Sequence, residues 1–403
     1  MNLVPLSQVC RIVNGGTPKS GVADYWGGNV AWVTPAEMGK LNGPEIKVTA
    51  RTITTAGLKN SSAKEVPVGA VIMSTRAPIG HLAIPLAPMA FNQGCRGLVP
   101  NDTLDTKYLY YFLWFSREAL DDLGTGTTFK ELSSGSLGAY KVPLLPLAEQ
   151  RRIVAVLDEA FVDIATVTAN VEKNLVNARE LFESTSEKIF ADLEEEGVPL
   201  AALGDLTDVN SPITYGVVKP GPEGSVPFVR GGDLVDGDVR LDQLRTISKA
   251  FSDQYRRTLL RGNELLICLV GTPGECAIAP PELAGANIAR QVGLIRLNDE
   301  ISPEFVRDFL LSGLGQKLLG LRTGGSVQQV INLGDLKLIE VPVPLLACQL
   351  AIVSQLNTLK DSVKYLERLF EQKRIALAEF KSALLTRAFA GQLVQPEREL
   401  VPA

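Results

Sequence analysis

The chain matches itself at an offset near 199 residues, about half of its 403. A duplication on that scale implies two copies of one structural unit. The clearest match sets TGTTFKEL (125–132) against TGGSVQQV (323–330), and AEQRRIVAVL (148–157) against ACQLAIVSQL (347–356). PVGAVIMSTRAPIG (67–80) pairs more weakly with LRGNELLICLVGTPG (260–274), and PLSQVCRIVNG (5–15) with PLAALGDLTDVN (199–210). Each copy therefore begins alike and ends alike.

At the end of each copy glycine and proline almost vanish, and apolar residues fall at alternating steps of three and four, the spacing of a helix seam. In the first copy the seam reads Ile153, Leu157, Ala160, Ile164, Val167, Val171, Asn174, Ala178, Leu181; in the second it reads Ile352, Leu356, Leu359, Val363, Leu366, Phe370, Lys373, Leu377, Phe380, Leu384. Asn174 and Lys373 interrupt the two seams at matching places, where a polar residue either sets register or reaches solvent. At about 1.5 Å per residue each seam runs roughly 40 to 50 Å. Pairing of the two about a pseudo-twofold axis makes them antiparallel and puts one globular unit at each end.

The intervening segments are rich in proline and glycine and hold short β-prone runs, such as 70–73, 265–270 and 293–296. A short helix is predicted in each, over 107–120 and 303–319, with aromatic and leucine stripes of the kind that pack a core. The predicted fold is mixed α+β: two globular domains joined by two long antiparallel coiled-coil helices, with an internal pseudo-twofold repeat. The boundaries are 1–145 for the first domain, 146–196 for the first long helix, 197–344 for the second domain, 345–393 for the second long helix, and 394–403 for a C-terminal tail.

Charge and motifs narrow the chemistry. The net charge of −5 argues against a generally basic nucleic-acid coat, although a local basic surface remains open. By segment the balance is +2 over 1–140, −6 over 141–196, −3 over 197–335 and +2 over 336–403, so the first helical segment suits solvent or a protein partner better than phosphate. The single histidine, His81, leaves little from which to build a catalytic triad or a histidine metal site. The five cysteines, Cys10, Cys95, Cys268, Cys276 and Cys348, show no C-x-x-C spacing, which suits buried thiols in a reducing compartment. No signal-peptide pattern is evident, and the uncharged stretch 341–359 is too polar to span lipid. A cytoplasmic protein without a membrane partner is expected.

No phosphate-binding P-loop and no strand-to-helix G-x-G-x-x-G occurs. The segment NSPI (210–213) lacks the second proline and the aromatic residue of an amino-methyltransferase tetrad and reads as a turn. Glu45 and Lys47 match only a fragment of a metal-nuclease signature. Gly124, Gly126, Gly324 and Gly325, beside Thr127, Thr128 and Ser326, either cradle phosphate or form tight turns. They recur at the same place in both copies.

At these residues the chain resembles the specificity subunit of type I restriction-modification systems over nearly its whole length. GGTPKSGVADYWGGNVAWVTPAEM (15–38) is similar to the family's opening Gly-Gly-Thr-Pro, Tyr-Trp-Gly-Gly and Trp pattern. The Gly-Thr-Thr at 126–128 and PLLPLAEQRRIV (143–154) resemble its exit from a recognition domain into a long helix. The second copy departs from the first: Cys348 stands where the first has Glu149, and 207–230 lacks the Tyr-Trp-Gly-Gly signature. The resemblance implies a non-catalytic DNA reader from a prokaryotic cytoplasm. Its two target-recognition domains each read half of a bipartite target on double-stranded DNA, and the helix pair spaces them. It further implies two modification subunits, which carry S-adenosylmethionine and the adenine methylation chemistry. Two restriction subunits supply ATP- and Mg-dependent translocation and cleavage. This chain itself is then expected to carry no catalytic residue, no cofactor and no metal.

Groove contacts are assigned to Arg76, Gln93 and Arg96 in the first domain and to Arg290, Gln291, Gln328 and Gln329 in the second. Phosphate positioning is assigned to Thr17, Lys19, Thr127, Thr128, Lys130 and Ser326. For each, an ordinary solvated surface role is the competing assignment. Three other functions stay open: the recognition module of another restriction or methyltransferase system, an enzyme that modifies or cleaves DNA alone, and a coiled-coil scaffold with no DNA role.

Overall fold

The computed structural model describes residues 2–76, 78–126, 130–219, 221–320 and 330–393. Thr127, Thr128, Ser326, Gln328, Gln329 and the tail 394–403 lie outside the described residues. The chain divides into two compact units, one made of Met1–Val171 with Gln372–Ala403 and the other of Glu172–Glu371. Both boundaries fall inside long helices, Leu147–Glu195 and Leu346–Phe389. Each unit thus takes the beginning of one long helix and the end of the other.

In the first unit the strands Cys10–Asn14, Cys95–Pro100, Val71–Thr75, Ile79–Pro85 and Glu45–Ile46 form one sheet in that order, antiparallel except for the last pair. A second sheet runs Thr52–Ile53, Trp26–Val33, Met89–Phe91, Glu65–Val66, with Trp26–Val33 and Met89–Phe91 parallel. The second unit repeats the plan with one strand fewer in each sheet and with mostly shorter strands. Thr214–Tyr215, Val292–Ile295, Leu265–Cys268 and Cys276–Ile278 form its antiparallel sheet, and Arg245–Ile247, Val226–Val229 and Asn287–Ile288 the other. Val226–Val229 and Asn287–Ile288 are again parallel. In both units the first strand pairs antiparallel with the last: Asn2–Pro5 with Lys141–Leu144, and Leu200–Ala202 with Glu340–Pro342.

Both short helices break at a serine, and at the second of these the hydroxyl caps the next turn. Thr106–Phe115 gives way at Ser116 to Arg117–Asp122, and Pro303–Leu311 at Ser312 to Gly313–Leu318, where the Ser312 hydroxyl accepts from Gly315 N–H at 3.2 Å. Their aromatic stripes are core. Tyr108 and Phe112 of the first unit pack on Phe389 with ring centres 5.3 and 5.5 Å apart. In the second unit Phe305 and Phe309 pack on Phe190 at 5.7 and 5.4 Å. Phe190 and Phe389 occupy matching positions of the two copies, as do Tyr108 and Phe305, so the same aromatic contact is built twice.

The seam departs from the expected register. Ile153, Leu157, Ile164, Val171, Ile352, Leu356 and Leu384 are buried and Leu359, Val363, Leu366, Phe370 and Leu377 half-buried, but Leu181 is 57% exposed and Phe380 53%. Asn174 and Lys373 are exposed too, so neither polar residue interrupts a buried seam. After Val171 the inward positions of the first helix are Leu175, Ala178, Phe182, Ser186, Phe190 and Leu193. Their steps are mostly four. A straight helix repeats at 3.6 residues, not 3.5, so an apolar stripe drifts about 20° per heptad against strict three-four alternation. In the second helix the inward neighbour of Phe380 is Lys381, whose ammonium lies 4.1 Å from the Trp114 ring centre and 4.9 Å from that of Phe161, with its pKa lowered by burial.

Near the start of each long helix sits a fully buried glutamine. Gln150 Oε1 accepts from Asp105 N–H at 2.8 Å, and its Nε2 donates to the carbonyls of Thr103 at 2.9 Å and Leu145 at 2.7 Å. Gln349 repeats this with Ser302 N–H at 2.9 Å and the carbonyls of Glu300 at 3.2 Å and Pro344 at 2.9 Å. Each amide ties a long helix to the cap of the domain helix beside it. Gln150→Ala or Gln349→Ala strands a donor and two acceptors, and is expected to lower stability by about 2–4 kcal/mol. Urea unfolding of each variant reads the loss; a change below about 0.5 kcal/mol, the range of ordinary surface substitutions, shows that the tether is dispensable.

Candidate nucleic-acid interface

The first-unit candidates gather at one end of the Val71–Thr75 strand. Thr75 N–H donates to the Gly94 carbonyl at 2.7 Å, and the Thr75 carbonyl accepts from Leu132 N–H at 2.8 Å. This brings the 92–94 turn and the residues after 130 to the two sides of Arg76. Asn92 shapes that turn: its Oδ1 accepts from Gly94 N–H at 2.7 Å and its Nδ2 donates to the Thr17 hydroxyl at 3.2 Å. Gly94 lets the Arg76 side chain pass close over the turn, since a Cβ there would lie 2.9 Å from Arg76 Nε and displace it. Gln93 is left exposed at the tip.

The two arginines differ. Arg96, its side chain 12% exposed, donates through Nε to Ser134 Oγ at 2.8 Å, through one terminal nitrogen to the carbonyls of Gln93 at 3.0 Å and Cys95 at 2.9 Å, and through the other to Glu131 at 3.4 Å. Its donors are spent inside the chain, which makes it a support for the turn that carries Gln93. Arg76 is 34% exposed and meets Glu131 only at 3.7 Å, leaving donors for a ligand. Lys130 is paired with Asp121 at 2.7 Å. Burial pushes the adjacent Cys95 thiol up to about 12, against the lowering pull of Arg96 and Arg76, so it packs as a neutral thiol.

Thr17 and Lys19 lie on a loop held by the opening signature. Trp32 is buried and its Nε1 donates to the Gly16 carbonyl at 2.9 Å; Trp26 Nε1 donates to the Lys19 carbonyl at 3.3 Å. The two indoles meet edge to face at 5.2 Å, and the Arg51 guanidinium lies 4.0 Å from the Trp26 ring centre. Gly15 and Gly16 admit no side chain, since a Cβ would meet Asn92 O at 2.0 Å or Ala63 N at 2.2 Å. The signature is thus scaffold, and Lys19 is its exposed tip. Glu131 and Arg51 were missed by sequence reasoning. Glu131 stands inside the repeated TGTTFKEL motif, but nothing there announces that it faces two arginines 35 and 55 positions back.

The second unit repeats the backbone pattern. Leu269 N–H donates to the Gln291 carbonyl at 2.7 Å and the Leu269 carbonyl accepts from Ile331 N–H at 3.0 Å, as Thr75 does with Gly94 and Leu132. The bridge Arg76–Glu131 corresponds to Val270–Val330, so a charged pair in one unit is an apolar pair in the other. Arg290 and Gln291 are exposed on the turn equivalent to 93–94. Of the predicted 210–213 turn, the structure places the bend earlier, over 208–211, where Asp208 Oδ1 accepts from Asn210 N–H at 3.0 Å and the Asp208 carbonyl from Ser211 N–H at 2.8 Å. His81 Nδ1 lies 2.8 Å from the Pro35 carbonyl, a structural contact. Among the described residues no cluster of three metal-ligating side chains occurs and no helix is long and apolar enough to cross a membrane.

A sequence model described as the type I restriction modification DNA specificity domain matches residues 1–175 and 196–373. The chain belongs to that family. Among relatives of this specificity-domain chain, the type I restriction enzyme MjaIX specificity subunit of Methanocaldococcus jannaschii is 29% identical over 283 residues, covering 65% of this chain and 64% of that subunit, just under two thirds of its length. The EcoBI specificity subunit of Escherichia coli is 30% identical over 333 residues, covering 76% and 70%. Two solved chains share the fold at 20% identity. One, from a study of complex assembly and conformational transition of the type I R-M system, has a TM-score of 0.74 with 97% and 98% of the chains covered. The HsdS subunit of Thermoanaerobacter tengcongensis has a TM-score of 0.62, with 97% of each covered.

In this specificity-domain chain Arg96 and Arg76 are separable by experiment. Arg96→Ala is expected to lower stability by about 2–3 kcal/mol through several partly buried charge-assisted bonds, and Arg76→Ala by less than about 1 kcal/mol. Equal losses in urea unfolding mean that Arg96 is not the anchor of the turn.

Proposed function

We propose that this chain is the DNA-reading specificity subunit of a type I restriction-modification complex, with each unit reading one half of a bipartite target. The observation that carries this reading is a matched backbone with unmatched side chains. The hydrogen bonds around Thr75 recur around Leu269, while Arg76, Glu131 and Gln93 are replaced by Val270, Val330 and Arg290. One scaffold presenting two different sets of groups is suited to two different half-sites, because base edges are told apart by donor and acceptor pattern.

In this proposal residues 1–145 and 197–344 are the target-recognition domains and 394–403 a tail. The long helices, 146–196 and 345–393, run as an antiparallel coiled-coil pair about a pseudo-twofold axis and set the gap between half-sites. The duplicated aromatic contacts of Phe190 and Phe389 support that arrangement. Arg76, Gln93, Arg290 and Gln291 read bases, with Gln328 and Gln329; Arg96 positions the Gln93 turn; Thr17 and Lys19, with Thr127, Thr128, Lys130 and Ser326, meet phosphates. Two modification subunits bring S-adenosylmethionine and the methyl transfer, and restriction subunits bring ATP- and Mg-dependent cleavage. The chain supplies address, not chemistry, and works in the cytoplasm.

The test is to co-express the chain with a cognate modification subunit and map methylated adenines across the host genome. A split motif with a fixed gap is expected; a single uninterrupted motif, or no motif, overturns the proposal. In the same assay Arg76→Ala is expected to relax preference within one half only, at a cost of about 1–3 kcal/mol per lost base contact. An unchanged motif and unchanged rate remove Arg76 from the reading set.

A further inference from the structure

The tandem arginines of Asp253-Gln-Tyr-Arg-Arg-Thr258 played no part in the sequence assignments. In the structure they line a cleft of about 540 Å³ in the second unit, opposite the Thr214–Val218 segment. The turn that carries them is held from beneath by two buried polar side chains. Asn287 is fully buried; its Nδ2 donates to Ser252 Oγ at 3.1 Å and to the Tyr255 carbonyl at 3.4 Å, and its Oδ1 accepts from Thr258 Oγ1 at 2.6 Å. Arg296, its side chain 12% exposed, donates to the carbonyls of Arg257 at 3.2 Å and Leu259 at 2.7 Å while paired with the buried Glu264 at 3.2 Å.

That is a costly foundation for a surface turn, because each buried polar group must be fully bonded. What it presents is two exposed guanidiniums, and neither Arg256 nor Arg257 has an ion-pair partner among the described residues. Elsewhere in the unit Arg230 is paired with Asp233, Arg296 with Glu264 and Arg307 with Asp308. Lack of a pair among the described residues thus sets Arg256 and Arg257 apart from these three but not from Arg240, Arg245, Arg261 and Arg290; what sets them apart is that they stand in tandem on one anchored turn. The carboxylate on the cleft wall, Asp253, is itself engaged by Lys249 at 3.2 Å. On the facing wall Tyr215 is 46% exposed. Val217, between the wall residues Gly216 and Val218, accepts from Arg290 N–H at 2.8 Å, so the cleft adjoins the Arg290–Gln291 turn.

We infer that this cleft is an anion site for the phosphodiester backbone of DNA, with Arg256 and Arg257 as its two positive groups on a turn fixed by Asn287 and Arg296. It rests on the DNA-reading proposal and adds to it the element that positions the second half-site. Two planar guanidiniums carried side by side on a backbone-anchored turn match phosphate oxygens in shape as well as charge. Holding the turn's backbone beforehand removes the backbone's share of the ordering cost on binding.

The experiment uses the full chain assembled with its modification subunit. Binding to a duplex carrying the mapped target, and to one lacking it, is measured across a salt series for the unaltered chain, for Arg256→Gln with Arg257→Gln, and for Arg256→Lys with Arg257→Lys. Each lost phosphate contact lowers the slope of log affinity against log salt by about 0.9. The glutamine pair is expected to lower it by about 2, to weaken both duplexes alike by about 10- to 100-fold at moderate salt, and to leave the methylation motif unchanged; the lysine pair is expected to restore the slope. An unchanged slope in a folded glutamine variant overturns the site. A changed motif with an unchanged slope overturns the phosphate role and makes the arginines base readers. Failure of the unaltered complex to prefer its target is a failure of the DNA-reading proposal instead. A glutamine pair that unfolds the chain, seen by urea unfolding, while the lysine pair folds but binds with a reduced slope, also overturns the inference.

Discussion

The buried amide of Gln150, and its counterpart Gln349, joins three segments that the chain could otherwise arrange in many ways. In each unit one side chain closes on the cap of the domain helix, on the residue two before it, and on the end of the last strand, just before the long helix begins. Such an amide is stabilising only when all its groups are matched, because an unpaired donor or acceptor in the interior costs more than the bond itself returns. The long helix therefore leaves each domain at a defined point. The strand pairs Asn2–Pro5 with Lys141–Leu144 and Leu200–Ala202 with Glu340–Pro342 close each copy on itself just before that exit, and Phe389 and Phe190 fill the core against the same domain helices. Amide, strand pair and aromatic contact recur as a set.

A rigid frame of this kind frees the turns above it to vary. The 92–94 and 289–291 turns hang from the same backbone bonds, yet one carries Asn92, Gln93 and a glycine over which Arg76 passes, and the other Ala289, Arg290 and Gln291. Charge is managed locally in the same way. Glu131 faces Arg76 and Arg96 in the first unit, and its counterpart Val330 faces Val270. An overall charge of −5 is thus compatible with small positive surfaces, since screening confines each field to about 10 Å at ordinary salt.

The repeat, the long helices and the sheet segments were legible because they leave marks that sequence alone preserves: self-similarity, helical spacing, and clusters of turn residues. The register of the seam was not. Leu181 and Phe182 are both apolar neighbours, and only the drift of a straight helix decides which one turns inward. Arg96 and Arg76 look equivalent on paper and share Glu131; their difference lies in Ser134 and two carbonyls that the fold brings to Arg96 alone. Arg256 and Arg257 escaped notice because the repeat matching gave them no counterpart, and because the Asn287 that fixes their turn is 30 residues away.

The missing Tyr-Trp-Gly-Gly signature in the second copy has a physical replacement. In the first unit the parallel pair between sheet strands sets Trp32 against Ala90, and the indole N–H of Trp32 anchors the Gly16 carbonyl. In the second unit the same pair sets Phe228 against Asn287. Phenylalanine has no donor, so an indole anchor is impossible there, and the polar group appears across the pair instead, on Asn287, which fastens a different segment: the 252–258 turn. One buried donor is retained per unit at this crossing, but its location decides which outer loop is held rigid. In the first unit that loop carries Thr17 and Lys19; in the second it carries Arg256 and Arg257. Moving one hydrogen-bonding group across a strand pair is enough to change which charge-bearing loop is held, while the core around it stays apolar.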